Sequence, residues 1–302
     1  MADCNIPKGR MAVTGMFDGV HAGHLSLLEQ ARREARRRGL SLMAVTFARH
    51  PLEEVAPECA PQLLMTADRR EQMLRTVADE VIVLDFTPQL RALTMEEFMR
   101  KLRDDFGARA IFMGYNHRFG SDRVTDPALY REAGRRLGLD VVTGSEEQVG
   151  GSKVSSSVIR RHIAEGRVKE GAELLGRYYS IEGTVGPGRQ IGRTIGFPTA
   201  NLIPAEPRQL VPATGVYACR VRLDDGRLFG GMANIGTAPT VSTDSRRTIE
   251  VNLFDFSGDL YGRRIEVEFI DRMRDERRFP NLEALTAQLR ADARHARRIL
   301  AG

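Results

Sequence analysis

The feature that most constrains this chain is a change in the period of its hydrophobic pattern near residue 175. Before that point, short apolar runs at 11–14, 42–47, 81–86, 110–114 and 139–143 alternate with stretches of helical spacing. After it, apolar residues recur at every second position. Strand–helix alternation predicts a parallel sheet with helices on both faces. Period two with frequent turns predicts antiparallel strands, and several of them at this spacing predict a compact barrel. A chain of 302 residues fits two ordinary domains better than one. The expected division is 1–175 and 176–302.

Local signals fill in both halves. Leu25, Leu28, Ala31 and Ala35 share one helical face. Thr94 and Glu97 have the spacing of a capping box, followed by Phe98, Leu102 and Phe106 at helical intervals. Asp126-Pro127 reads as an N-cap with proline at the first helical position. Two short helices are expected over 156–165 and 168–175. Further on, 216–221 reads as strand, and so does 248–254, with Ile249, Val251 and Leu253 on one face and Glu250, Asn252 and Phe254 on the other. Ile265, Val267 and Phe269 alternate with two glutamates, and Asp224-Asp225-Gly226 and Ser257-Gly258-Asp259 mark turns. The chain closes on one long helix whose apolar stripe is Leu282, Leu285, Leu289, Ala293, Ala296 and Leu300.

Composition excludes several classes of function. No apolar run is long enough to span a membrane, and residues 1–10 lack the apolar core of a signal peptide. Cys4, Cys59 and Cys219 are scattered and odd in number, forming neither a disulfide framework nor a metal knuckle. That usage fits a reducing cytoplasm. The formal charge is +5, but Arg32, Arg33, Arg36, Arg37 and Arg38 sit together on one helix as a solvated face without interleaved aromatics. Charge alone does not define a nucleic-acid partner, and none is expected. No feature calls for an obligatory protein partner.

Two stretches carry chemistry. In parallel α/β sheets, ligands bind beyond the carboxyl ends of the strands. The loop Gly15-Met16-Phe17-Asp18-Gly19-Val20-His21 after the first strand and Tyr115-Asn116-His117-Arg118-Phe119-Gly120 after the fourth both fall there. His21 and His24 bracket Gly23 where the first helix starts, and a helix N-terminus offers free amide donors to phosphate. One of these histidines could instead be a cap. The second stretch is Gly192-Arg193-Thr194-Ile195-Gly196-Phe197-Pro198-Thr199-Ala200-Asn201. In an extended segment Thr199 and Asn201 point their oxygens the same way, which suits Mg²⁺ shared with a nucleotide's phosphates. The same residues could simply cap a local turn. Gly183, Gly186, Gly188, Gly192 and Gly196 form a loop whose amides could cradle phosphates, although no Walker Gly-Lys-Ser/Thr follows.

Taken together the motifs resemble one family. Gly15–His24, Thr46-Phe47-Ala48-Arg49-His50-Pro51, Asn116–Arg123 and Ser155-Ser156-Ser157-Val158-Ile159-Arg160 match the adenylyltransferase half of the bacterial bifunctional riboflavin kinases/FMN adenylyltransferases, the prokaryotic FAD synthetases. Leu174-Leu175-Gly176-Arg177, Gly183-Thr184-Val185, 192–202, Gly215-Val216-Tyr217, Ala233-Asn234-Ile235-Gly236, Pro239-Thr240 and 250–262 match the kinase half, in order. The resemblance implies a Rossmann-like nucleotidyltransferase domain followed by a riboflavin kinase barrel. It implies a cytoplasmic transferase of flavin biosynthesis that phosphorylates riboflavin to FMN with ATP, then adenylylates FMN to FAD with release of pyrophosphate, with Mg²⁺ assisting. On that likeness Glu250 is the base of the kinase, and Thr199 and Asn201 hold the metal, with Gly188, Gly192 and Arg193 on the phosphates. His21 and His24 stabilise the ATP phosphates in the first domain, together with Gly15, Phe17, Gly23, Asn116, Arg118, Ser156, Ser157 and Arg160.

The chain departs from the family pattern at Tyr178, Ala238, Asn252 and His117, where proline, arginine, histidine and phenylalanine are usual. Outside its motif, Glu250 would read as one more exposed strand carboxylate. Phe197 reads as packing beneath its loop. Two other readings use the same residues: a chain in which only the kinase is active, and a flavin- or RNA-binding regulator. The His-x-Gly-His element also occurs in class I aminoacyl-tRNA synthetases, but their Lys-Met-Ser-Lys-Ser segment is missing here.

Overall fold

A computed structural model describes residues 9–114, 118–145, 154–188, 196–237 and 247–302. The chain divides into two compact units, one running to Pro61 and from Ala67 to Val154, the other comprising Ser155–Gly302 with the short segment Gln62–Thr66.

The first unit is built on a parallel sheet of β1 (Arg10–Thr14), β2 (Ser41–Phe47), β3 (Glu80–Leu84), β4 (Ala108–Met113) and β5 (Asp140–Thr143), in the order β3-β2-β1-β4-β5. Met11, Ala12 and Val13 are buried, as a central strand covered on both faces requires. Helix α1 (Ala22–Arg37) turns Leu28, Ala31 and Ala35 inward. Then come α2 (Leu52–Val55), α3 (Ala67–Arg75), α4 (Pro88–Ala92), α5 (Met95–Asp104) and α6 (Pro127–Leu137). The Thr94–Glu97 capping box starts α5, and Asp126 caps α6 with Pro127 at its first turn. Phe106 falls beyond the end of α5, yet it packs partly buried on the core of Met99, Leu102, Ile111 and Tyr130. Helix α3 has no apolar stripe: Arg70 and Leu74 are its buried residues.

In the second unit α7 (Ser156–Ala164) and α8 (Val168–Leu175) precede a closed antiparallel barrel. Its strands are β6 (Tyr179–Gly186), β7 (Ala200–Pro204), β8 (Gly215–Leu223), β9 (Leu228–Thr237), β10 (Arg247–Leu253) and β11 (Arg264–Arg274), in the order β10-β7-β6-β11-β8-β9. Closure leaves no exposed strand edge. Tyr217, Val221, Ala233, Ile235, Val251 and Val267 are fully buried. Burial also pushes the Cys219 thiol well above its ordinary range, so it is an inert core residue.

The terminal helix α9 (Leu282–Ala301) lays Leu289, Ala293, Ala296 and Leu300 on Ala218, Met232 and Phe254, and Phe197 packs on the same cluster. Leu282 departs from the expected stripe. It is 57% exposed, because it occupies the first turn, before the helix reaches the barrel. Asp292 and Arg274 lock α9 to β11: Arg274 Nη2 donates to Asp292 Oδ2 at 2.6 Å.

The segment Gln62–Thr66 is stitched into this unit by backbone bonds. Leu63 N donates to Arg208 O at 2.9 Å, and Leu210 N donates to Leu63 O at 2.8 Å. The Gln209 side chain adds donations to Leu64 O and Ser180 O.

Candidate active sites

In the first unit the loop from β1 to α1 is shaped by backbone that side chains rarely adopt. Phe17 (φ 50) and Val20 (φ 36) are left-handed, and both are buried. This delivers His21 to the N-cap of α1, where its Nδ1 accepts from His24 N at 3.3 Å. The two imidazoles stack with centroids 3.6 Å apart, and Phe17 meets the His24 ring edge-on at 5.3 Å. A Cβ at Gly23 would stand 3.3 Å from His21 Nδ1, so glycine gives the ring its seat. A Cβ at Gly15 would likewise stand 3.2 Å from the Phe17 ring. Because Nδ1 of His21 accepts, the proton of the neutral ring sits on Nε2, which becomes a donor. A donor beside the free amides of a helix start can meet an anion.

The loop after β4 is held from behind. Tyr130 donates its hydroxyl to Phe119 O at 2.9 Å and accepts from Phe119 N at 3.2 Å. Ser121 bonds Leu93 O and Ala92 O, and Asp122 Oδ1 accepts from Met95 N at 3.0 Å. Arg118 opens the described part of this loop, half-buried. Asn116 and His117 lie outside the described residues, as do Gly192, Arg193 and Ala238. Ser156, Ser157 and Arg160 stand on the first turns of α7, after the Ser155 N-cap, in the second unit.

The barrel brings the other group together. On β10, Ile249 and Val251 face the core, so Glu250 takes the opposite face. Its cross-strand partners are Asn201 on β7 and Asn234 on β9. Directly opposed residues in antiparallel pairs have Cβ atoms about 4.5–5.5 Å apart. A carboxylate therefore stands between two amides in one row across three strands. Thr199 immediately precedes β7, and the carbonyl beside it, Pro198 O, accepts from Asn252 Nδ2 at 2.8 Å. Gly188 is the floor under Asn201: a Cβ there would lie 2.6 Å from Asn201 Cγ and overlap Nδ2 outright.

A cavity of about 290 Å³ opens beside Thr199, with Val185, Ala200, Val251 and Leu253 as apolar walls and Tyr261 at the rim. Neither Asn234 nor Tyr130 stood out as functional in the sequence. The signal for Asn234 is a polar residue between two fully buried neighbours, Ala233 and Ile235.

A parallel sheet with an anion-ready helix start and a barrel with a carboxylate–amide row define a two-unit, nucleotide-handling protein. The comparisons narrow this. The FAD synthetase family pattern matches residues 4–158 and the riboflavin kinase pattern residues 175–300. The bifunctional riboflavin kinase/FMN adenylyltransferase of Pseudomonas fluorescens is 38% identical over 295 residues, spanning 97% of this chain and 94% of its own. That of Escherichia coli strain K12 is 38% identical, covering 96% and 92%, and that of Bacillus subtilis is 33% identical, covering 96% and 92%. A crystal structure described as a macrolide-efflux protein from Streptococcus pneumoniae has a TM-score of 0.83 at 34% identity, covering 98% of this chain and 96% of that one. The chain belongs to the bifunctional riboflavin kinase/FMN adenylyltransferase family. No helix among the described residues is long and apolar enough to cross a membrane.

Proposed function

We infer that this protein makes flavin nucleotides in two ATP-dependent steps: riboflavin to FMN at 176–302, then FMN to FAD at 1–175. The observation that carries the reading is the row Asn201–Glu250–Asn234. A carboxylate held between two amides on a strand face is a placed general base rather than a loose surface charge.

In the kinase step Glu250 takes the proton of the riboflavin ribityl hydroxyl. That oxygen attacks the γ-phosphorus of ATP in line, and ADP leaves. Thr199 and Asn201 supply neutral oxygen donors, the hard ligand type Mg²⁺ takes. Among the described residues no cluster of three His, Cys, Asp or Glu could hold a metal by itself. Neutral oxygen donors suit an ion that arrives with ATP's phosphates, and such an ion neutralises polyphosphate charge. On the family likeness, Gly188, Gly192 and Arg193 are assigned to the phosphates of ATP. The cavity beside Thr199 is sized for part of a nucleotide.

In the second step a phosphate oxygen of FMN attacks the α-phosphorus of ATP and pyrophosphate leaves. The protein's part is positioning and charge stabilisation. His21 through Nε2–H, His24 and the positive end of the α1 dipole receive the charge of the leaving pyrophosphate, with Gly15, Phe17 and Gly23 shaping the loop. On the family likeness, Asn116, Arg118, Ser156, Ser157 and Arg160 are assigned to phosphate binding. The free Cys59 and the buried Cys219 thiol agree with a reducing cytoplasm, and neither nucleic acid nor an obligatory protein partner is needed.

The test is direct. Purified protein is given riboflavin, ATP and Mg²⁺, and the flavins are separated by chromatography. FMN followed by FAD is expected. FMN without FAD leaves only the kinase, and no conversion refutes the reading.

A further inference from the structure

A buried arginine stands behind the phosphate loop of the first unit with its charge only partly answered. Arg70, on α3, is 1% exposed. Its Nη2 donates to the carbonyls of Phe47 and Ala48, at the carboxyl end of β2. Its Nε and Nη1 are buried with no hydrogen-bond partner among the described residues. Burial pushes the guanidinium down from its ordinary value, while the charges of Asp18, then Glu53, then Glu71 push it back up. A guanidinium keeps its proton in proteins, so a full positive charge sits here.

Packing does not account for that charge. Desolvating an ion is costly, and an apolar side chain of similar volume often serves stability as well or better. The neighbouring loop supplies the reason. Asp18 is 2% exposed and lies between left-handed Phe17 and Val20, in the loop that ends at His21. Such backbone persists only where the surroundings impose it. Thr46 Oγ1 already ties the end of β2 to this loop by donating to Met16 O at 3.1 Å. Arg70 grips the following two carbonyls of the same strand end. A loop that must accept polyphosphate also carries a buried carboxylate, which repels the ligand unless a counter-charge stands by.

We propose that Arg70 is a positioning residue for adenylyl transfer, holding the end of β2 against the phosphate loop and cancelling the charge of Asp18 so that the loop accepts a polyphosphate. It touches no substrate.

The inference rests on the first unit being the adenylyltransferase, and the measurements separate the two. Full-length wild type, R70M, R70K, D18N and the R70M/D18N double variant are compared. The readouts are KM for ATP and kcat in FAD formation, the dissociation constant of inorganic pyrophosphate, and riboflavin phosphorylation as a control on folding. R70M should raise KM for ATP and weaken pyrophosphate binding by about tenfold, a loss of one charge interaction in a low-dielectric setting. R70K should recover most of the loss, the double variant should recover part, and phosphorylation should stay unchanged.

R70M that is merely less heat-stable, with KM and pyrophosphate binding unmoved, overturns the proposal. So does R70K behaving no better than R70M. Should R70M fail to fold, D18N decides, because leaving Arg70 uncancelled must tighten pyrophosphate binding and a weakening contradicts the idea. If wild type forms no FAD from FMN, the functional reading falls, while pyrophosphate binding still tests Arg70.

Discussion

Gly188→Ala is the substitution whose consequence the structure defines most closely. Gly188 is not among the left-handed glycines, so alanine suits its backbone. The obstacle is Asn201: the new methyl would lie 2.6 Å from Cγ and 3.1 Å from Oδ1. It would overlap Nδ2 outright, and non-bonded heavy atoms rest about 3.5 Å apart, so the Asn201 amide must move by more than about 1 Å. Misplacement by that much can cost on the order of 10²-fold in rate, which corresponds to about 2.7 kcal/mol of activation free energy. The site is at the barrel surface, so stability should change by less than about 1 kcal/mol. The assay is riboflavin phosphorylation under saturating ATP, with FAD formation from supplied FMN as the control in the same sample. Kinase kcat should fall on the order of 10²-fold while FAD formation holds. Asn201→Ala added to Gly188→Ala should cost little more, because both act through one amide. A folded G188A enzyme with kinase turnover near wild type would refute the placement of Asn201.

Two further predictions concern stability. Asp292→Asn breaks the pair with Arg274, whose side chains are 6% and 16% exposed, and should cost about 3 kcal/mol by leaving a largely buried cation without its partner. Urea unfolding of the variant should show a clearly lower midpoint, and an unchanged midpoint contradicts the pairing. Glu34 is held at about 2, from an ordinary 4.5, by hydrogen bonds from Arg37 and then Arg38. Its folded value is lowered, so its contribution is present above 4.5 and lost as pH falls through about 2. Solvent screening keeps it under about 1 kcal/mol. The stability gap between wild type and E34Q should therefore close as pH falls toward 2, and a gap that persists there contradicts the ion pair.

The parts of the fold that local chemistry specifies were legible in the sequence. Thr94 and Glu97, or Asp126 and Pro127, fix helix starts through their own hydrogen bonds, wherever the helix later packs. Glu250 could be assigned to the face opposite Ile249 and Val251 because strand alternation leaves no choice. What escaped depends on partners distant in sequence. Strands β6 and β7 meet where Gly183 lies against Ile203 O, and the missing side chains blur their alternation. Segment Gln62–Thr66 has no strand signature, because its order comes from Arg208, Gln209 and Leu210. Helix α3 is charged over most of its length, so nothing in its composition told that Arg70 turns inward. Asn234 gained meaning only when barrel closure set it opposite Glu250.

The central claim is that two separate sites act in sequence, and exchanging one residue in each tests it most directly. Glu250→Gln should abolish FMN formation from riboflavin and leave FAD formation from supplied FMN intact. His24→Ala should do the reverse, with FMN accumulating. Either variant losing both activities while its circular dichroism and unfolding transition match wild type would contradict the account.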